Sequence, residues 1–213
     1  MDKEQTKDLL RTLQLILIGT FFWLIRPNII SSFVSVNHPF QLFCGLEIVG
    51  SVLIFIATLI VFFVFPFQYS MISMIVSFSI LVLNILDFFM YKNPVMQVIH
   101  SYLPVLMSIM LHFASRLMQV GMRYFGAMQL SRTWRTFSVL IIFSFSVPYY
   151  ILITANHFNL IVPPTGDALQ TFLAAMIPAI VLVAFYFIYY AVILVKSIRY
   201  LSQIQKRYKT KHK

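Results

Sequence analysis

Six stretches of the chain are apolar over about the 20 residues that a helix needs to cross the hydrocarbon core of a bilayer. They run roughly over residues 10–30, 41–65, 70–90, 95–117, 137–155 and 171–195. Runs of this length admit few folds. Backbone polar groups in lipid must be satisfied within the segment, so each run is expected to be a helix. Composition agrees: 60% of the 213 residues are hydrophobic and only 10% are charged, against about a quarter charged in soluble domains. A chain this short cannot hide that much apolar side chain from water. A soluble enzyme, a disordered linker and a secreted disulfide scaffold are excluded. The single cysteine, Cys44, rules out an intramolecular disulfide. The expected fold is all-α, a polytopic six-helix transmembrane bundle forming one domain over 1–213.

The first run is the weakest, because its unbroken apolar stretch, Leu13 to Ile25, is followed by Arg26 and Pro27. It either spans or lies in the interface. Charge placement favours spanning. Basic residues gather in the N-terminal segment (Lys3, Lys7, Arg11), between runs four and five (Arg116, Arg123, Arg132, Arg135) and in a tail over 196–213 (Lys196, Arg199, Lys206, Arg207, Lys209, Lys211, Lys213). Six spans put all three on one side, as the excess of cytoplasmic Lys and Arg requires, and leave Arg26 and Lys92 on the other. Both termini are then cytoplasmic. A bacterial inner membrane is the default location, and an organellar membrane is the alternative. The N-terminal residues mix acid and base, so no cleavable signal is expected.

The net charge of +10 is read as orientation and lipid contact, not as nucleic-acid binding. Arg123, Arg132, Arg135, Lys206, Arg207 and Lys209 are the candidates for anionic headgroups. In 116–136, Leu117, Val120, Tyr124 and Met128 recur at helical spacing between the arginines, which predicts a basic helix lying in the interface. The tail is expected to be a short extension, disordered at its end. A loop is expected over Asn156 to Gln170.

Ionisable side chains in lipid are costly and call for an explanation. Arg26, Glu47, Asp87 and His100 come from four runs yet share a depth near one surface. They suggest a polar cluster for a cation, a proton or a headgroup. Two carboxylates and an imidazole could ligate a divalent metal, and a carboxylate beside a histidine could relay a proton. The structural alternative is an ion pair of Arg26 with Glu47 or Asp87. In the fourth run Gln97, Ser101, Ser108 and His112, continued by Ser115 and Gln119, form a polar seam suited to helix packing. The third run carries a weaker one: Ser70, Ser73, Ser77 and Asn84. Pro104, Pro148 and Pro178 fall inside spans and predict kinks. His38 and His157 of the outer loops could meet at a zinc ion, although their spacing has no motif character. No catalytic signature such as GxSxG, HExxH, Walker A or GxGxxG occurs, and no cofactor is expected.

The stretch HFASRLMQVGMRYFGAMQLSRTWRTFSVLIIFSFSVPYY, His112 to Tyr150, resembles the Yip family of Rab-interacting membrane proteins in its bacterial form. Gly126, Ser131, Thr133, Arg135, Thr136, Phe137 and Pro148 carry the resemblance. The opening RPNIISSF, Arg26 to Phe33, is also similar. The resemblance implies a helical membrane bundle acting in membrane organisation. The family usually has five spans, where the charges here favour six, and the long N-terminal region behind its GTPase contacts has no counterpart. Three functions follow. The first is an adaptor or organising membrane protein that binds anionic lipid and other membrane proteins or a larger complex. The second is a small ion-coupled carrier using Glu47, Asp87 and His100. The third is an intramembrane lipid-modifying enzyme with His100 as base.

Overall fold

The computed structural model describes residues 3–24, 40–65, 67–90, 93–158 and 167–211. Within them, side chains are described except at 3, 23–24, 40–44, 97, 156–157, 167–180, 182–183 and 207–211. The described chain is all-α: α1 (Lys3–Leu24), α2 (Phe40–Val64), α3 (Gln68–Met90), α4 (Pro94–Tyr124), α5 (Met128–Ile141), a π-helical turn (Ile142–Ser146), α6 (Val147–His157) and α7 (Asp167–Lys211). The α5–π–α6 segment is one rod, so the described residues form six rods. Five of these are long and apolar enough to cross a membrane. The protein is an integral membrane bundle. α1 is not among the five, since five charges fall within 3–11. It nonetheless packs along α2 and α7.

Its contact with α2 is close enough to need glycine. A Cβ on Gly19 would lie 2.9 Å from the Gly50 carbonyl oxygen and 2.8 Å from Ile54 Cγ1. Without side chains the two backbones approach directly, which is how helices gain dispersion energy in lipid.

Several elements differ from expectation. Residues 116–136 form no separate interfacial helix. α4 continues to Tyr124, a tight turn follows, and α5 starts at Met128. Gly126 makes the turn with φ of 76°, a conformation that other L-residues adopt at a cost. Its N–H bonds the Arg123 carbonyl at 3.0 Å, and the Ala127 N–H bonds the Met122 carbonyl at 2.9 Å. The arginines therefore decorate the ends of two antiparallel rods. The tail is also helical through Lys211. No Gly or Pro follows Pro178, and Leu194, Ser197 and Leu201, at helical spacing, are buried, so nothing stops the helix. Asp167 to Gln170, expected in a loop, is its first turn.

The prolines act unequally. Pro104 sits inside a continuous α4. Pro148 lacks the N–H that an α-helix would give to the Ser144 carbonyl. Just before it the backbone widens into the π-helical turn, where the Val147 N–H reaches back five residues to Ile142 O. Only the backbone is described around Pro178, and it is helical.

Candidate functional site

Two polar regions organise the bundle. The first is the α2–α3 contact. On α3 the buried residues are Ser70, Ser73, Ser77, Ile80, Asn84 and Asp87. They alternate three and four apart, the spacing of a packed helix seam, and five of the six are polar. The outward positions of α3 are apolar: Met71, Ile75, Phe78, Val82, Ile85, Leu86 and Phe89 are exposed. The helix is thus polar inward and apolar outward.

This seam is bonded at seven-residue steps, starting from the residue just past α2 and running along both antiparallel helices. Ser70 Oγ donates to Phe65 O at 2.6 Å, Ser77 Oγ meets Thr58 Oγ1 at 2.6 Å, and Asn84 Nδ2 donates to Ser51 Oγ at 2.6 Å. Most hydroxyls also reach a carbonyl of their own helix, as Ser51 Oγ does to Glu47 O at 2.8 Å. Extending the register by one turn brings Glu47 of α2 level with Asp87 of α3. Both are buried, at 2% and 6% exposure. The seam judged weaker from sequence is the more continuous of the two.

At the upper end of this ladder the α3–α4 turn adds the imidazole. Asn93 caps α4, its Oδ1 accepting from the Val95 N–H at 2.9 Å, with Pro94 in the first helical position. This sets the start of α4 so that His100 Nδ1 stands 2.8 Å from Asp87 Oδ2. Side-chain exposure is 14% for His100 and 9% for Asp87. The ring nitrogen nevertheless makes no aligned hydrogen bond, and the contact is an ion pair only when the imidazole is protonated. Asn84 Oδ1, one turn below Asp87, is buried with no donor. Its orientation is fixed, because Nδ2 is held by Ser51, whose own proton goes to Glu47 O.

The expected four-residue cluster is therefore partly assembled. Asp87 and His100 are in contact, and Glu47 lies on the adjoining helix at the same level. Arg26 lies outside the described residues, as do His38 and the side chain of His157. Glu47, Asp87 and His100 do not form the expected metal-ligand set: among the described residues no group of three His, Cys, Asp or Glu side chains converges to hold a metal. Sharing a depth did not place Glu47 within reach of the other two as a common ligand set.

The second region joins α4 to the α5–α6 rod and α7. Ser108 Oγ meets Ser146 Oγ at 2.5 Å, and Ser131 Oγ donates to Gln119 O at 2.9 Å. His112 Nδ1 lies 2.6 Å from Ser138 O. A carbonyl only accepts, so this nitrogen carries the proton and the imidazole is a structural donor. Ser101 bonds its own helix at Val98 O, 2.6 Å, and the Gln97 side chain lies outside the described residues. Below these, Trp134 Nε1 donates to Ser197 Oγ at 3.0 Å and Tyr200 Oη donates to Phe125 O at 2.9 Å. Trp134 packs edge-on against Phe137 and Tyr190, and Phe137 stacks on Tyr190 at 5.1 Å between centroids. Nothing in the sequence reading singled out Trp134, Ser197 or Gly19.

These bonds to α7 have an electrostatic consequence. Arg132 and Arg135 flank Trp134, while Lys196 and Arg199 flank Ser197. Together with Arg123 and Lys206 they are all exposed. The start of α1, with exposed Lys7 and Arg11, lies at the same end. The described cations of the three basic segments thus form a collar at one end of the bundle, and the Glu47–Asp87–His100 level lies toward the other. The side chains of Arg207 and Lys209 fall outside the described residues. Comparison of the chain with family models, curated proteins and solved structures yields no match.

Proposed function

We propose that this protein is a non-enzymatic membrane organiser, an adaptor that holds anionic lipid and membrane-protein partners, with the collar on the cytoplasmic side. The observation that carries this reading is the collar itself. Cations from α1, α4, α5 and α7 are exposed around one end and held there by bonds between rods. Each Lys or Arg near an anionic surface contributes about 1 kcal/mol, so a fixed group of six to eight gives firm, salt-sensitive lipid contact. The resemblance to Yip proteins across His112 to Tyr150 points the same way.

The test is purification in mild detergent with mass spectrometry of what remains bound. A stoichiometric membrane-protein partner with enriched anionic lipid is the expected result. Arg132→Gln with Arg135→Gln should reduce the lipid enrichment, and added salt should do the same. A lone protein with no lipid preference would overturn the reading.

A second reading has its own support. A buried carboxylate–imidazole contact beside an orphaned amide oxygen is the chemistry of a proton-handling site. It favours an ion-coupled carrier in which Asp87 and His100 exchange a proton. In proteoliposomes, Asp87→Asn should then abolish proton-linked flux while the protein remains folded, and unchanged flux would remove this alternative.

A further inference from the structure

Beside the collar, the first turns of α1, the α2–α3 turn and the last turns of α4 enclose a crevice of about 220 Å³. Gln5, Leu9, Phe65, Phe67, Leu117, Val120, Gly121 and Tyr124 line it. It opens outward, since Phe67, Val120 and Tyr124 are exposed. The lining is apolar apart from Gln5 and Tyr124.

The flank of the crevice is cationic. Arg116, Val120 and Arg123 are spaced i, i+4, i+7, so they form one line along α4. Val120 both lines the crevice and is 42% exposed, and an arginine stands one turn to each side of it. Arg123 is exposed. Arg116 Nη1 donates to Gln119 Oε1 at 3.2 Å, on the side of α4 away from the crevice lining, so an anion in the crevice competes with Gln119 for this guanidinium. The acids on the facing turns of α1 are Glu4, which is exposed, and Asp8, which is faced by Arg11 at 4.0 Å. An apolar slot with cations along its rim, at the end of a membrane bundle, matches one kind of molecule: an amphiphile with an anionic head.

We propose that this crevice is a specific site for one anionic phospholipid, with an acyl chain lying on Leu117, Val120 and Gly121 and the phosphate held by Arg123 and Arg116. The inference rests on the lipid-binding part of the proposed function and assigns it a place. Arginine suits the role, since its planar fork pairs with phosphate through two N–H groups. Gly121 keeps the floor open: a Cβ there would meet only Leu9 Cδ2, at 3.6 Å, whereas a longer side chain would occupy the slot.

The test uses full-length protein reconstituted in vesicles of mixed phosphatidylglycerol and phosphatidylcholine, extracted gently and analysed by native mass spectrometry. Wild type should retain one phosphatidylglycerol in excess. Arg116→Gln with Arg123→Gln should lower that retention by about fivefold per charge removed. Val120→Trp fills the slot from an exposed position and leaves every charge in place. It should remove the bound lipid as completely as the arginine pair does. Gly121→Leu should act likewise, and Val120→Trp covers the case where it fails to fold. If Val120→Trp retains the lipid and the arginine variants lose it, the crevice site is overturned and the collar stands. If no variant, including Arg132→Gln with Arg135→Gln, changes retention, both are overturned.

Discussion

The α2–α3 contact and the α4–α5–α7 contact seal helices together by different means. Along α2–α3 the joined groups are small: hydroxyls, an amide and a backbone carbonyl, meeting every two turns from Ser70 to Asn84. At α5–α7 a few large rings fill the space, with Trp134 and Phe137 each 1% exposed and one indole N–H bond to Ser197. The difference is physical. Between helices in lipid, exclusion of water supplies no attraction, and packing and hydrogen bonds must serve instead. Small polar residues bring backbones close and define register, with little to lose at any one rung. An aromatic hub concentrates the contact in a few side chains and has much to lose at each.

The comparison is broken most sharply at the hub. Trp134→Ala should cost about 3–5 kcal/mol, the range for emptying an aromatic core position, read by denaturant unfolding in micelles. Trp134→Phe keeps most of the packing and should cost about 1 kcal/mol, the worth of the lost hydrogen bond. If the two variants cost the same, the bond and not the ring holds α7. Next comes the α1–α2 crossing. Gly19→Val drives a side chain into Gly50 O and Ile54, and overpacking should cost about 1–3 kcal/mol. Proteolysis at the α1 end should rise with it.

At the head of the ladder, Asp87→Leu should cost about 1–3 kcal/mol by leaving His100 buried without its carboxylate. Adding His100→Leu should recover much of that loss, because removing both partners removes the unmet demand. A double variant as unstable as the single would show that Asp87 is held by other groups. The smallest effect belongs to the ladder proper. A double-mutant cycle of Thr58→Val with Ser77→Ala should give a coupling of about 0.6 kcal/mol, the average for interhelical hydrogen bonds in membranes. A coupling of several kcal/mol would erase the contrast between rung and hub.

The helical membrane class was legible because it depends on composition and run length alone. Each of the five apolar rods overlaps one apolar run, and the breaks near 65–68 and 90–94 fall between runs. The α4–α5 connection was not. Its amphipathic pattern fits an interfacial helix and a hairpin of two rod ends equally well, and the left-handed Gly126 decides between them. The tail was misjudged for a related reason. Basic residues after an apolar run suggest an extension, yet α7 continues because Ser197 and Leu201 find partners on other rods. The third-run seam was underrated because single serines carry little signal until their partners on α2 are known.

By itself the sequence determined the solvent: so many apolar residues in runs of spanning length leave no other medium for the chain. Tertiary structure alone decided the partners. Periodicity places Ser51, Asn84 and Asp87 on faces but cannot choose which face meets which. The backbone approach at Gly19, the register of α2 against α3 and the capped start of α4 made that choice. They brought Asp87 to His100, left Glu47 on the neighbouring helix, and opened the crevice beside Arg116 and Arg123.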